Sequence, residues 1–323
     1  MSPRPPALPL LLSTALLAGL VACSAGADEG GSSPASPAAD RSTTVEHLYG
    51  TTEVTGVPER VVAIDLQWTD TLLALGVDPV GYTVEPSAEP YPWQELPAGA
   101  TVIELDGDFE VPVEQVAALE PDLILGSWSI GDQATYDLLS GIAPTVPALD
   151  AEQVTAWQDL VDVAGQLLDR EEEAAALVAE VDGQVAETAA DLPGLAGRTF
   201  VLAQYVVGDS IYAVADRSDG SSVFFQDLGM QLHQPVVDEG QAQAAARVSL
   251  SVERADLLGA DLVAFLVNGG DAGATADIPG FDQLPGTVAI LDLATIVGLN
   301  TPTPLSLPYS LEALRPYLED AAA

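Results

Sequence analysis

Residues 60–83 read Arg60-Val61-Val62-Ala63-Ile64-Asp65, then a helical segment from Thr69 to Gly76, then Pro79-Val80-Gly81-Tyr82-Thr83. The first segment is a continuous apolar strand, which is typical of a parallel sheet buried on both faces. Glycine after the helical segment and proline at the start of the next strand predict where the helix ends. The stretch therefore predicts a strand–helix–strand unit.

The same alternation of strand and helix continues along most of the chain and predicts an α/β fold. We predict two Rossmann-like αβ lobes with mostly parallel central sheets, joined by one long α-helix. The predicted boundaries are 54–168 for the N-terminal lobe, 169–192 for the interlobe helix and 193–323 for the C-terminal lobe. A helix of roughly 22 residues spans about 33 Å, which is enough to bridge two lobes as a stiff strut.

The first 53 residues have the features of an export signal followed by a tether. Residues 1–23 combine an early arginine, a short apolar run and a small residue before Cys23, which is the pattern of a secretory signal peptide. The tetrad Leu20-Val21-Ala22-Cys23 resembles the bacterial lipobox, so we expect Cys23 to be lipidated. The alternatives are an ordinary signal peptide with an incidental cysteine, or a short membrane anchor. Residues 24–53 are predicted to be a flexible tether, with an edge strand as an alternative just before Val54. The protein is predicted to be exported and lipid-anchored to the outer face of the cell membrane.

The charge balance excludes nucleic acid as a partner. The chain has 49 acidic residues against nine basic ones and a net charge of −40, so it repels nucleic acid. It suits a neutral or cationic ligand, although a salt- or genome-related sequence bias would produce the same composition. Two histidines and one cysteine are too few for a zinc, copper or iron site built from side chains. We therefore predict no metal site and no resident cofactor.

Four segments resemble the iron-siderophore and cobalamin substrate-binding proteins of bacterial ABC importers. The resemblance covers about residues 50–320, and its segments are Pro58–Gly81, Val113–Ile124, Leu139–Val146 and Pro302–Leu314. It implies a monomeric binding protein rather than an enzyme, which holds a ferric siderophore between its lobes and delivers it to a membrane permease. The alternatives are a receptor of the same fold for cobalamin or haem, a surface-anchored hydrolase, for which no Gly-x-Ser-x-Gly elbow is present, and an adhesion domain.

Ligands of open αβ lobes lie beyond the carboxyl ends of the strands, and this rule selects the candidate residues. Aromatic side chains at those ends and in one loop are predicted to form the walls of the site: Trp68, Tyr82, Tyr91, Trp93, Trp128 and Tyr205. Arg217 and Arg247 are predicted to lie at its rim, where a guanidinium can bind the oxygens of a chelate. The alternatives are core packing for the aromatic residues and surface ion pairs for the arginines. By resemblance, Glu253 is the docking residue of the C-terminal lobe, and Asp132 is the nearest acidic candidate in the other lobe.

Overall fold

The first sheet confirms the parallel αβ unit that residues 60–83 predict. The structure is a computed structural model that describes residues 41–84, 89–105 and 110–323. Five parallel strands lie in the order β5-β4-β3-β6-β7. They are β3 (Val61–Ala63), β4 (Gly81–Val84), β5 (Thr101–Glu104), β6 (Leu123–Leu125) and β7 (Thr145–Val146). The connecting helices are α1 (Leu66–Ala74), α2 (Val113–Ala118) and α3 (Gln133–Ser140).

The second sheet is mixed rather than purely parallel. Its strands are β8 (Thr199–Val206), β9 (Ile211–Val214), β10 (Gln231–Leu232), β11 (Arg247–Leu250), β12 (Leu262–Asn268) and β13 (Thr287–Ile290). Their order is β11-β9-β8-β12-β13, with β10 paired to β8. The strands β10, β8, β12 and β13 are parallel to one another, whereas β9 and β11 are antiparallel to their neighbours. The antiparallel edge arises because β8 and β9 are joined by a tight turn, in which Gly208 has a φ of +81°.

Helices α6 (Gly220–Asp227), α7 (Gln234–Gln243), α8 (Leu293–Asn300) and α9 (Ser306–Ala322) belong to the second half of the chain. A 3-10 helix follows β11 over Val252–Leu258. Helix α8 was not predicted. It begins after Asp292, whose side chain accepts a hydrogen bond from the Thr295 N–H, a common way for a helix to start.

Two consecutive helices carry the chain from the first sheet to the second. They are α4 (Trp157–Leu168) and α5 (Glu171–Asp191). Asp169, predicted to begin the long helix, is instead the left-handed C-terminal residue of α4, with a φ of 58°. At 21 residues, α5 is about 32 Å long. The long helix is therefore present, and α4 packs against it.

The C-terminal part of the predicted tether is folded. Strands β1 (Ser42–His47) and β2 (Gly50–Thr55) form an antiparallel hairpin. Its alternating pattern buries Val45 and Val54 in the main core. The tether prediction for 24–53 is therefore wrong from residue 42 onwards, because the four buried side chains of Val45, His47, Thr52 and Val54 hold the hairpin against the domain. Residues 24–40 lie outside the described residues.

A single hydrophobic cluster contains side chains from both sheets and from the helices between them. Leu125 of β6, Leu160 of α4 and Leu202 of β8 all belong to it. Two smaller clusters fill the remaining face of each sheet. The described residues belong to one compact unit, and the lobe boundaries at 168 and 193 stay a prediction. Among the helices of the described residues, none has both the length and the apolar character needed to cross a membrane.

Candidate ligand-binding site

A cavity of about 260 Å³ opens beyond the carboxyl ends of the first sheet. Residues that end or follow β3, β4, β5 and β6 form one side of it. The end of α8, which belongs to the second half of the chain, forms the other. Its lining is Asp65, Leu66, Thr69, Tyr82, Thr83, Val84, Glu89, Pro90, Tyr91, Gln94, Leu105, Trp128, Val297, Asn300 and Thr301. The cavity therefore lies where parallel αβ sheets place their ligands.

Asp65 forms part of the cavity wall and is itself only 1% exposed. It caps helix α1 by accepting a hydrogen bond from the Trp68 N–H at 3.0 Å, and its other oxygen accepts from the Ser127 N–H. Burial raises the pKa of Asp65 to about 6, although the backbone hydrogen bonds oppose this. These bonds tie the ends of β3 and β6 together, so Asp65 fixes the geometry of the site.

A second buried carboxylate, Asp70, holds the aromatic wall in place. It accepts hydrogen bonds from Trp93 Nε1 at 2.8 Å, Gln94 Nε2 at 2.6 Å and Thr303 Oγ1 at 2.7 Å. The Gln94 Oε1 in turn accepts from the Tyr91 N–H at 3.1 Å. Burial raises the pKa of Asp70 to about 6. Since Thr303 comes from the other half of the chain, Asp70 joins the two sides of the cavity.

Three of the predicted aromatic residues lie together in the cavity wall: Tyr82, Tyr91 and Trp128. Trp128 is 39% exposed, so part of its side chain is accessible to a ligand in the cavity. Trp93 stands behind Tyr91, with ring centroids 4.8 Å apart and ring planes 4° from parallel. Trp93 thus supports the wall and is not part of the lining.

Trp68 and Tyr205 lie elsewhere, and for these two residues the structure corrects the prediction. Trp68 is fully buried in the main core, because it lies on the face of α1 that packs against α4. Tyr205 is 3% exposed in the core of the second sheet, and its hydroxyl accepts from the Gly208 N–H at 3.2 Å. Both residues therefore pack in the core, which was the alternative interpretation of their sequence positions.

The two predicted rim arginines are also outside the cavity lining. Arg247 is the first residue of β11 and not a loop residue. Its guanidinium contacts the buried Asp219 and both oxygens of Asn300, at 3.0–3.4 Å. Arg247 thus contacts Asn300, which lines the cavity, and together with Asn300 it lines a smaller adjoining hollow. Arg217 donates to Gln234 Oε1 at 2.8 Å in a separate hollow beside α7.

Both predicted docking acids are exposed. Asp132 caps α3 by accepting from the Thr135 N–H at 2.8 Å, and this bond lowers its pKa. Glu253 lies in the first turn of the 3-10 helix. Their docking role stays a prediction. Cys23 lies outside the described residues.

Several lining residues were not predicted. Asp65 and Thr83 could have been found by the rule that selected the aromatic residues, since both lie at strand ends. Val297, Asn300 and Thr301 carried no such signal, because α8 was not predicted and only the packing of the two halves brings its end to the cavity. Within the part of the chain that the structure describes, no group of three or more histidine, cysteine or acidic side chains is arranged to hold a metal ion.

The fold and the cavity define a binding protein of the two-sheet αβ class, and comparison with known proteins agrees. The chain belongs to the periplasmic binding protein family, whose model matches residues 61–251. This is a family of binding proteins, so the prediction that the chain is not an enzyme is confirmed, as is the resemblance found in the sequence.

Among its relatives is the probable siderophore-binding lipoprotein YfiY of Bacillus subtilis, with 27% identity over 62% of this chain and 60% of that protein. The putative ABC transporter substrate-binding lipoprotein YhfQ of the same organism is 34% identical over 37% of this chain and 36% of that protein. The chain thus spans about a third to about 60% of the length of these curated relatives. A crystal structure of a periplasmic solute-binding protein from Mycobacterium smegmatis matches with a TM-score of 0.70 and 27% identity, covering 87% of this chain and 99% of that chain.

Proposed function

We propose that this protein is the solute-binding component of an ABC importer, and that it captures a ferric siderophore in the cavity and delivers it to a membrane permease. The observation that carries the proposal is the aromatic cavity beyond the ends of β3–β6, closed on its other side by α8. A large, partly apolar chelate is well matched by walls of tyrosine and tryptophan. The names of the two Bacillus relatives, a probable siderophore-binding lipoprotein and a putative ABC transporter substrate-binding lipoprotein, support it.

A fluorescence titration tests the capture step. The purified protein is titrated with ferric hydroxamate, catecholate and citrate chelates, with haem and with cobalamin. We expect saturable quenching of tryptophan emission by one iron chelate, because Trp128 forms part of the wall. Saturation by cobalamin or haem alone would replace the proposed cargo, and no response to any compound would contradict a receptor function.

A pair of tryptophan variants shows whether the cavity is the binding site. We expect Trp128→Ala to weaken binding by at least about tenfold, which is the loss of one well-buried aromatic contact. Trp157→Phe is the matched control, since Trp157 is buried at the start of α4 and away from the cavity lining. Equal affinities of Trp128→Ala and the unaltered protein would move the site elsewhere.

Delivery depends on an anchor and on docking. We propose that Cys23 is lipidated and that the protein works as a monomer on the outer face of the membrane, as the names of the lipoprotein relatives suggest. We expect Cys23→Ser to release the protein from the membrane fraction. Glu253→Ala and Asp132→Ala are expected to keep chelate affinity and to reduce iron uptake by cells. Membrane retention of Cys23→Ser, or full uptake with both acids replaced, would reject the respective role.

A further inference from the structure

The charged side chains in the cavity wall are acids. Asp65 and Glu89 line the cavity, and the rest of the described lining is aromatic, aliphatic, hydroxyl or amide in character. Neither an arginine nor a histidine is among these residues, and the chain contains no lysine. The described wall therefore contains no positive side chain that would compensate the charge of a bound anion.

The arginines of the described residues lie outside the cavity lining, and most of them have polar partners there. Arg247 is linked to the cavity through Asn300, a lining residue that it contacts. Its charge is paired with the buried carboxylate of Asp219 at 3.3 Å. Others form ion pairs with acids outside the lining: Arg41 with Asp169 and Glu171, Arg198 with Asp261, Arg254 with Glu239 and Asp256, and Arg315 with Asp191 and Glu319. Arg60 donates to the backbone carbonyls of Leu119 and Glu120.

The two segments that adjoin the cavity in sequence do not add a positive charge. Residues 85–88 follow β4 and residues 106–109 follow Leu105, and both lie outside the described residues. Their sequences, Glu85-Pro86-Ser87-Ala88 and Asp106-Gly107-Asp108-Phe109, contain acids and no basic residue. The amino-acid sequence thus excludes a cation from these two segments wherever they lie.

We propose that the cargo is a ferric hydroxamate chelate carrying a net positive charge, and that anionic catecholate and citrate chelates are rejected. This proposal rests on the function proposed above and narrows its substrate class. An anion that loses water in a cavity lined by carboxylates meets both a desolvation cost and like-charge repulsion. A pendant ammonium group would instead contact Glu89 and the faces of Tyr91 and Trp128, which attract cations. The surrounding field of a chain with net charge −40 also favours the approach of a cation.

A charge series on one chelate tests the proposal without changing the iron centre. The probes are ferrioxamine B, whose free amine makes the complex cationic, its N-acetyl derivative, which is neutral, and its N-succinyl derivative, which is anionic. We expect affinity to fall in that order, by about tenfold or more between the two ends, and the difference to shrink as salt is raised. Equal or stronger binding of the anionic member, or saturation by a catecholate or citrate chelate alone, would overturn the charge inference and leave the receptor function standing. No binding by any chelate of either panel would overturn both.

A single-charge variant assigns the preference to the cavity rather than to the whole molecule. Glu89 is exposed at the cavity edge, so Glu89→Gln removes one charge without emptying the core. We expect it to weaken ferrioxamine B by about fivefold, as expected for one partly screened charge near the ligand, and to leave the acetylated chelate unchanged. Glu173→Gln, an exposed acid of α5 outside the lining, is the matched control and should alter neither. Equal effects of the two variants would contradict a role for the cavity charges.

Discussion

Asp70 is the residue on which the shape of the site most depends. Its carboxylate accepts three hydrogen bonds, from Trp93, Gln94 and Thr303, while it is almost fully buried. Every partner is a donor, so the ionised carboxylate satisfies all three, and loss of any one would leave a buried polar group unpaired. The aromatic wall is thus positioned by a charge that does not itself line the cavity.

The pH dependence of stability tests this description of Asp70. Burial raises the pKa of Asp70 from 3.8 to about 6, so the folded state binds more protons than the unfolded state between these values. The contribution of Asp70 to the free energy of unfolding is therefore most favourable below pH 4 and is lost as pH rises to 6, by about 3 kcal/mol at most. We expect Asp70→Asn to remove this component from denaturant unfolding curves measured from pH 4 to 7.

The exposed Asp78 provides the control for net charge. Asp78→Asn removes the same formal charge and should leave the shape of the pH profile as it is. A profile for Asp70→Asn that runs parallel to that of the unaltered protein would show that Asp70 does not carry a raised pKa. Asp65, whose pKa burial also raises to about 6, contributes with the same sign in both variants.

At the scale of elements, the β1–β2 hairpin is the clearest difference between sequence and structure. Residues 42–53 are mostly polar and small, which favours a tether when the segment is considered alone. In the structure, the Thr52 hydroxyl donates to the Thr145 carbonyl of β7 at 2.6 Å and contacts the ring of His47 at 2.9 Å. The hairpin is stabilised by its contacts with β7 and the main core. The local sequence does not indicate those contacts.

A mutation inside the predicted tether distinguishes the two descriptions. Val45 is 5% exposed and belongs to the main core, so Val45→Ala should lower the free energy of unfolding by about 1–2 kcal/mol through lost burial and a small cavity. Thr44→Ala, on the exposed face of the same strand, should change it by less than about 0.5 kcal/mol. If residue 45 were in a tether, urea unfolding of the two variants would be indistinguishable.

At the scale of the whole molecule, the two halves are joined by more than the connecting helices. Gln67 of α1 donates to the carbonyl of Pro302 at 3.1 Å, and Asp70 accepts from Thr303. A shared hydrophobic cluster runs through both sheets. Separating the halves would break buried hydrogen bonds and expose apolar surface, so a large opening motion is costly.

Small-angle X-ray scattering tests this rigidity. We expect the radius of gyration to change by less than about 1 Å when a bound chelate saturates the protein, as in binding proteins whose interfaces are preformed. The double variant Gln67→Ala/Thr303→Val removes the side-chain contacts to Pro302 and Asp70 and should increase the change. A decrease of several ångströms in the unaltered protein would instead indicate a hinge that the described contacts do not allow.

Sequence patterns predicted the fold class and the end of the first sheet at which the cavity opens. The apolar segments at Val61–Ala63 and Leu123–Leu125 are strands because a run of that composition has few other ways to be buried. The rule that ligands lie beyond strand ends then placed Tyr82 and Trp128 in the cavity wall. The same rule also selected Trp68, which lies in the core, because it specifies a position along the chain and not the direction of a side chain.

The sequence by itself determined the α/β class, the parallel first sheet and the acidity of the whole chain, since these follow from local composition and the order of segments. Only the tertiary structure decided which residues meet. Asn300 and Asp65 line the same cavity, and Thr303 donates a hydrogen bond to Asp70. These contacts form because segments more than 200 residues apart in sequence pack on a common core. The absence of a positive charge from the described cavity wall has the same origin. It depends on where folding places each arginine relative to the cavity, which the order of residues along the chain does not show.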